Sequence, residues 1–166
     1  MPSVKLVYKH EFEAQALAQE EQACLEQAIV ERFPASVCRR VLFVAVPQIP
    51  EDVFEREAAQ AGRYPCFPPY GIGILTRILE QSGFAADILD LHYLTLKQGL
   101  QAWRTALLEK IEEFKPNLIG LSCMFNLGHS WLRSVAAFSR ERFPYLPIAA
   151  GGVHPSRVRI ASRNWR

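Results

Sequence analysis

Small and polar residues follow two apolar runs in the C-terminal half of the chain. Ser122 ends the run 118–122, and Gly151 and Gly152 follow the run 148–150. A serine hydroxyl can hydrogen-bond a ligand nitrogen, and two residues without side chains let a flat ring approach the backbone. Because parallel strands deliver their loops to one edge of a sheet, we predict a ligand slot there. A phenylalanine or leucine ring that filled the slot would argue against such a ligand.

Four further residues are predicted to surround this slot. Met124, Phe125 and Asn126 follow the run that contains Ser122, and His154 follows the two glycines. Apolar side chains mixed with a few hydrogen-bonding groups are typical of the mouth of a ligand pocket. We therefore interpret these residues as the rim of the slot.

Glycines also occur at the start of a predicted helix. Gly71 and Gly73 follow Tyr70, but Thr76 stands where a dinucleotide fingerprint has its third glycine. A long loop also separates this motif from the preceding strand, so NAD binding is disfavoured. We expect the two glycines to let the helix approach a strand or a bulky ligand closely. The apolar stripe of this helix is Ile72, Leu75, Ile78 and Leu79.

The slot requires a parallel sheet that holds the two loops side by side. Apolar runs without alternation predict buried parallel strands, and apolar residues at helical spacing predict helices between them. The resulting βαβαβαβ order predicts an α/β, flavodoxin-like (Rossmann-like) three-layer fold with strand order 2-1-3-4 and the fifth strand missing. The long loop 47–67 leaves the ligand-binding edge and is expected to be functional. Strands are predicted over 41–46, 86–91, 118–122 and 148–150, and helices over 10–33, 70–79, 97–114 and 130–143.

The composition predicts one globular domain with two tails. The chain has 166 residues, of which 49% are hydrophobic, enough for one core. We predict an N-terminal helical extension over 1–40, the domain over 41–156 and a basic tail over 157–166. Four of the 19 basic residues lie in that tail, and the other 15 are balanced by 17 acids. Nucleic-acid binding is therefore not expected.

The cysteines and the hydropathy pattern limit the other classes. The four cysteines show no Cys-x-x-Cys spacing, so no iron–sulfur motif and no zinc site is predicted. No apolar run approaches the roughly 18 residues that a membrane span needs, and no signal peptide is recognisable. We predict a cytoplasmic protein with reduced thiols.

The order of these motifs resembles the N-terminal cobalamin-binding domain of B12-dependent radical SAM enzymes. The resemblance covers about residues 41–156. It is most specific in Gly-Gly-Val-His-Pro-Ser at 151–156, and it includes Pro-Pro-Tyr-Gly-Ile-Gly at 68–73. It implies a flavodoxin-like domain that holds cobalamin with the benzimidazole tail detached from cobalt and buried in the protein.

The resemblance also implies roles for individual residues. Ser122, Gly151 and Gly152 match the positions of that family that contact the tail. The loop 124–126 and His154 are then neighbours of the corrin ring. The cofactor-binding set implied in this way is Tyr70, Gly71, Ser122, Met124, Phe125, Asn126, Gly151, Gly152 and His154.

A second motif fits less well. Asp90 and His92 have the Asp-x-His spacing of cobalamin proteins in which the histidine is the lower cobalt ligand. In those proteins the motif follows the first strand, whereas here it ends the second. We therefore expect His92 to lie near the surface beside a carboxylate. The family that the chain resembles commonly lacks a histidine ligand.

Enzymes of that family continue with a fifth strand and a barrel whose Cys-x-x-x-Cys-x-x-Cys motif holds an iron–sulfur cluster, and this sequence contains no such motif. We therefore expect a cobalamin-binding module that is not catalytic alone and that works with a radical SAM domain or a second copy of itself. Its last strand is expected to be an exposed edge, which would weaken cobalamin binding. The alternative is a flavodoxin-like interaction or scaffold domain without a cofactor. A phosphoacceptor receiver is disfavoured, because no acidic cluster follows the first strand.

Overall fold

A computed structural model describes residues 39–153 and, before them, only Ala23, Gln27 and Glu31. The chain contacts separate two units, 1–38 and 39–166. The three early residues are helical, and the Gln27 side chain donates a 3.0 Å hydrogen bond to Glu31. The rest of the predicted helix 10–33, the predicted tail 157–166 and His154 lie outside the described residues. The predicted domain boundaries stay predictions.

The described part of the second unit is built around a four-stranded parallel sheet with the order β2-β1-β3-β4. This result confirms the predicted flavodoxin-like α/β fold and its strand order. The strands are β1 (Arg40–Ala45), β2 (Ala85–Asp90), β3 (Leu118–Ser122) and β4 (Ile148–Gly151). The helices are α1 (Arg56–Gln60), α2 (Tyr70–Gln81), α3 (Leu91–Gln98), α4 (Ala102–Phe114) and α5 (His129–Arg142), with short 3-10 turns at Glu51–Val53 and Asn126–Gly128.

The segment between β2 and β3 differs from the prediction of one helix over 97–114. It forms two helices, because Gly99 ends α3 with φ 94°, a conformation that glycine adopts without strain. The first of them begins directly after β2. The Asp90 side chain accepts a 2.9 Å hydrogen bond from the Tyr93 backbone N–H and caps this helix.

One face of the sheet carries the core of the described unit. We call it the core face. Helices α3, α4 and α5 pack against it, and Trp103 meets Trp131 edge to face at 6.1 Å between ring centroids. Apolar burial of this kind is the main favourable contribution to folding. The buried side chains include Leu42, Val44, Leu91, Leu107, Ile111, Ile119, Leu121, Leu132 and Val135.

Among the described residues, only α2 packs on the opposite face, which we call the open face. Ile72 is the buried residue of α2, whereas Ile74 is 63% and Leu75 is 48% exposed. The predicted stripe of this helix is therefore covered only in part. The described residues leave the rest of this face uncovered, whereas parallel sheets are normally covered on both sides.

The predicted loop after β1 contains local structure. It includes the first 3-10 turn and α1. The Tyr64 hydroxyl accepts a hydrogen bond from the Glu55 N–H and donates one to the Val53 carbonyl, both at 2.9 Å. The Tyr64 ring also stacks on Phe54. In the part of the chain that the structure describes, no helix has the length and apolar character needed to cross a membrane.

Candidate functional site

The carboxyl edge of the sheet brings the first two predicted site residues together. Ser122 ends β3 and lies in register with Gly151 of β4 and with Ala45 of β1. The pairing continues past the strand ends, because the Val46 N–H bonds the Ser122 carbonyl at 3.2 Å and the Cys123 N–H bonds the Gly151 carbonyl at 3.0 Å. The backbone that presents these residues is therefore well anchored.

The open face is lined by small residues at this edge. In-register positions of a parallel sheet share a face, so Ala45, Ser122 and Gly151 form one row of the open face. A Cβ added to Gly151 would meet no atom within 4 Å. The next row on the same face lies two residues earlier in each strand, which we call below, and contains Gly120 and Ala149. We call these five residues the small-residue trough.

An aromatic ring lies at the lower end of the trough. A Cβ added to Gly120 would come within 2.8 Å of the half-buried Phe43 ring, so one edge of this ring packs against Gly120. Phe43 is in register with Gly120 and lies one row below Ser122. The ring therefore occupies the lower row, and the row of Ser122 carries no large side chain. The space that small residues leave is therefore confined to the row of Ser122.

The two glycines at the end of β4 have different surroundings, which explain the absence of a side chain in different ways. Gly152 has φ 108°, and a Cβ there would lie 2.5 Å from the Cys123 carbonyl oxygen. The chain can pass the end of β3 at this distance only because the residue has no side chain. Gly151 instead faces open space. The sequence interpretation gave both glycines one role, whereas the structure assigns close backbone passage to Gly152 and an unfilled position to Gly151.

Apolar side chains surround the same edge. After β3, Met124, Phe125 and Leu127 are exposed, and Asn126 begins a 3-10 turn. From the loop after β1, Phe67 is 76% and Tyr70 is 71% exposed. Large apolar groups gathered at one edge mark a binding surface more often than an inert one. We call the set Phe67, Tyr70, Met124, Phe125 and Leu127 the apolar rim.

The remaining predicted residues are less informative. Gly71 is exposed in the first turn of α2, and a Cβ at Gly71 or Gly73 would meet no atom within 4 Å. No described strand therefore explains the predicted close approach of this helix. His154 lies outside the described residues.

The expected surface location of His92 is wrong. His92 is only 8% exposed, and its Nε2 lies 3.0 Å from the Pro65 carbonyl. Its Nδ1 accepts a 3.4 Å hydrogen bond from the Gln48 N–H, so Nε2 is the donor to Pro65. The Asp90 carboxylate does not pair with this ring, because it caps α3. His92 thus holds both ends of the loop after β1.

One buried polar atom in this loop was not singled out from the sequence. Gln48 Oε1 is buried and has no hydrogen-bond partner among the described residues. Buried polar groups in folded proteins are normally paired. The sequence shows only a polar residue between Pro47 and Ile49, and nothing in that pattern signals a buried amide.

A cleft of about 420 Å³ lies between the loop after β1 and α3. Cys66 opens onto it, and burial together with the nearby Asp90 carboxylate raises the pKa of this thiol, which Lys97 partly offsets. The other described cysteine, Cys123, is buried beneath the rim, and this burial raises the pKa of its thiol. No group of three or more potential metal ligands occurs in the described part of the chain. The cleft is lined by Ala59, Gly62, Tyr64, Cys66, Pro68, Pro69, Asp90, Tyr93, Leu96 and Lys97.

Comparisons with known proteins identify the family that this chain resembles. A family profile described as B12 binding domain matches residues 58–159. Over 60 residues the chain is 37% identical to a tryptophan 2-C-methyltransferase from Streptomyces laurentii. The matched part is 36% of this chain and 9% of the relative, so the chain spans about a tenth of that protein. No solved structure matches the chain.

Proposed function

Because the chain belongs to the B12 binding domain family, we propose that it is a cobalamin-binding module that has no catalytic activity by itself. The observation that carries this proposal is the small-residue trough, which opens on the face of the sheet opposite the core. The trough begins beside the apolar rim, so one ligand can place a planar group in the trough and pack a larger apolar surface on the rim.

The nucleotide tail of cobalamin is proposed to lie in the trough. Ser122 is half-buried there and offers a hydroxyl that can hydrogen-bond a benzimidazole nitrogen. Gly151 leaves room beside it, because a side chain at this position would project into open space. The Phe43 ring bounds the lower end of the trough.

The corrin ring is proposed to lie across the carboxyl edge of the sheet. Met124, Phe125 and Asn126 would contact it from β3, and Tyr70 and Gly71 from the start of α2. His154, close behind Gly152 in the chain, completes the proposed set. Ligands of open α/β sheets bind at this edge, beside the point where the strand order reverses, and here that point lies between β1 and β3.

The proposed module would serve a catalytic partner. Cobalamin supplies cobalt that can carry a methyl group or transfer electrons. The partial match to a methyltransferase supports a methyl-transfer setting, and we propose a radical SAM domain as the partner. The contribution of this chain is to bind the cofactor and to orient it.

The proposal is tested by reconstitution. We expect purified protein that is incubated with hydroxocobalamin and passed through a desalting column to keep one equivalent of cobalamin. Its visible spectrum should be that of cobalamin whose benzimidazole has left the cobalt. Protein that elutes colourless at an excess of hydroxocobalamin would contradict the proposal.

A second candidate function is an interaction or scaffold domain without a cofactor. It is favoured by the exposed Ile74, Leu75 and Ile78 of α2. Such a domain would form a dimer of the same mass with and without cobalamin. Light scattering under both conditions, together with the reconstitution, distinguishes the two functions.

A further inference from the structure

Gln48 combines a fixed backbone with an unpaired buried amide oxygen. Its backbone N–H bonds His92 Nδ1 at 3.4 Å. The next residue is also anchored, because Trp131 Nε1 donates a 2.7 Å hydrogen bond to the Ile49 carbonyl. Before it, Val46 is paired with Ser122. The position of Gln48 is therefore set from both sides, and its Oε1 atom is left without a hydrogen-bond partner among the described residues.

The place of Gln48 in the fold is the place where a ligand is expected. It follows β1, and the sheet order changes direction between β1 and β3. Pro47 lies against the buried Gly128, since a Cβ on that glycine would come within 3.1 Å of the Pro47 carbonyl oxygen. The loops after β1 and β3 thus meet beside Gln48.

A buried acceptor without a donor is unfavourable in the free protein, because the lost contact with water is not replaced. A bound ligand that donates a hydrogen bond to this oxygen removes that cost. Cobalamin carries primary carboxamides around its corrin ring, and each of them has two N–H donors of the kind that an amide oxygen accepts.

We infer that Gln48 Oε1 accepts a hydrogen bond from a corrin carboxamide and so positions cobalamin over the junction of β1 and β3. This inference rests on the proposed function and adds a residue to it. Gln48 would act as a positioning residue for the cofactor, with no part in bond making.

The test compares Gln48→Met with the unchanged protein. Methionine has a similar length and lacks the hydrogen-bond acceptor, so the stability of the cofactor-free protein and its affinity for cobalamin should change independently. The urea midpoint of the cofactor-free protein should equal or exceed that of the unchanged chain, whereas the affinity for cobalamin should fall about tenfold. Both are measured on the full chain, the affinity by titration of the visible spectrum.

Thr95→Val is the matched control. Thr95 Oγ1 is the other buried atom without a hydrogen-bond partner in the described residues, and it lies within α3. Removing this hydroxyl should also leave the urea midpoint equal or higher, but the affinity for cobalamin should not change. Equal affinities for the Gln48→Met variant and the unchanged chain would overturn the inference while leaving the proposed function intact.

A second titration identifies the donor. In excess cyanide both axial positions of cobalt hold cyanide, so no cobalt-bound water can donate. If the carboxamide is the donor, Gln48→Met should weaken the binding of dicyanocobalamin by the same factor. If the variant and the unchanged chain bound dicyanocobalamin equally well, the assignment of the donor to a carboxamide would be overturned. Failure of the unchanged chain to bind either form would overturn the proposed function and this inference together.

Discussion

The two faces of the sheet differ in what covers them. The core face is packed by three helices and buries two tryptophans, whereas the open face is covered by α2 alone among the described residues. The core face carries large side chains such as Leu121, and the open face carries glycine, alanine and serine toward β4. The residues that form the core and those of the proposed ligand site therefore lie on opposite faces of one sheet.

This separation follows from the register of the strands. Leu121 faces the helices, and its neighbours Gly120 and Ser122 face the trough. Successive residues of a strand point to opposite faces, so three consecutive residues serve two purposes. A substitution on one face should therefore change folding, and one on the other should change binding.

The largest effect is expected for truncation on the core face. Leu107→Ala removes a fully buried side chain of α4 and should lower the free energy of unfolding by about 2–5 kcal/mol. The control is Ile74→Ala on the exposed side of α2, which should change it by less than about 0.5 kcal/mol. Urea unfolding measures both. Similar losses for the two variants would show that the open face is covered as well.

A large side chain in the trough should weaken cobalamin binding much more than it lowers stability. Ser122→Trp is expected to weaken cobalamin binding at least about 100-fold, because the indole occupies the space proposed for the tail. The unfolding free energy should change less than the binding free energy, since Gly151 beside Ser122 faces open space. Ser82→Trp, at the exposed end of α2, is the control and should bind cobalamin like the unchanged chain. Normal binding by the Ser122 variant would remove the trough from the site.

Substitutions of the two adjacent glycines at the end of β4 should affect stability at one position and cobalamin binding at the other. Gly152→Ala forces a side chain into a left-handed conformation and against Cys123, and it should cost about 1–3 kcal/mol of stability. Gly151→Ala adds a methyl group in open space and should leave stability unchanged while weakening cobalamin binding. Thermal unfolding and spectral titration of both variants check the pair. The reverse pattern would contradict the assigned roles.

The smallest effect concerns the thiols. In a Cys24→Ser/Cys38→Ser background, Cys66 should react with a disulfide reagent in the folded protein and Cys123 only after unfolding. Because Asp90 contributes to the raised pKa of Cys66, Asp90→Asn should lower that pKa and speed the reaction about twofold at pH 8. Asparagine still caps α3, so the fold is retained. An unchanged rate would show that burial alone sets this pKa.

The sheet was predictable because its strands are continuous apolar runs joined by helices. That pattern predicts a parallel sheet, and right-handed crossovers leave a handful of strand orders, from which the flavodoxin-like order was chosen. It also brought Ser122 and Gly151 to the same edge. The same runs conceal which residues face which side, since apolar residues occupy both faces of β1. The difference between the two faces therefore became visible only in the structure.

Other features depend on contacts between distant parts of the chain. His92 is buried because the loop after β1 folds over it, and a sequence pattern around Asp90 cannot show this. The unusual φ of Gly152 arises from the end of β3, about thirty residues earlier. Gly99 lies inside the segment that was predicted as one helix over 97–114, and the apolar spacing around it did not mark it as a break. Local patterns predict elements well and long-range burial poorly.

The tail of cobalamin is proposed to lie in the small-residue trough of the open face. The most direct test of this proposal is to compare the affinity of the unchanged chain for cobalamin and for cobinamide, which lacks the nucleotide tail. Burial of a benzimidazole ring in the trough should make cobalamin bind at least about 100-fold more tightly. Equal affinities for the two corrinoids would contradict the proposal, because the tail would then contribute nothing to binding.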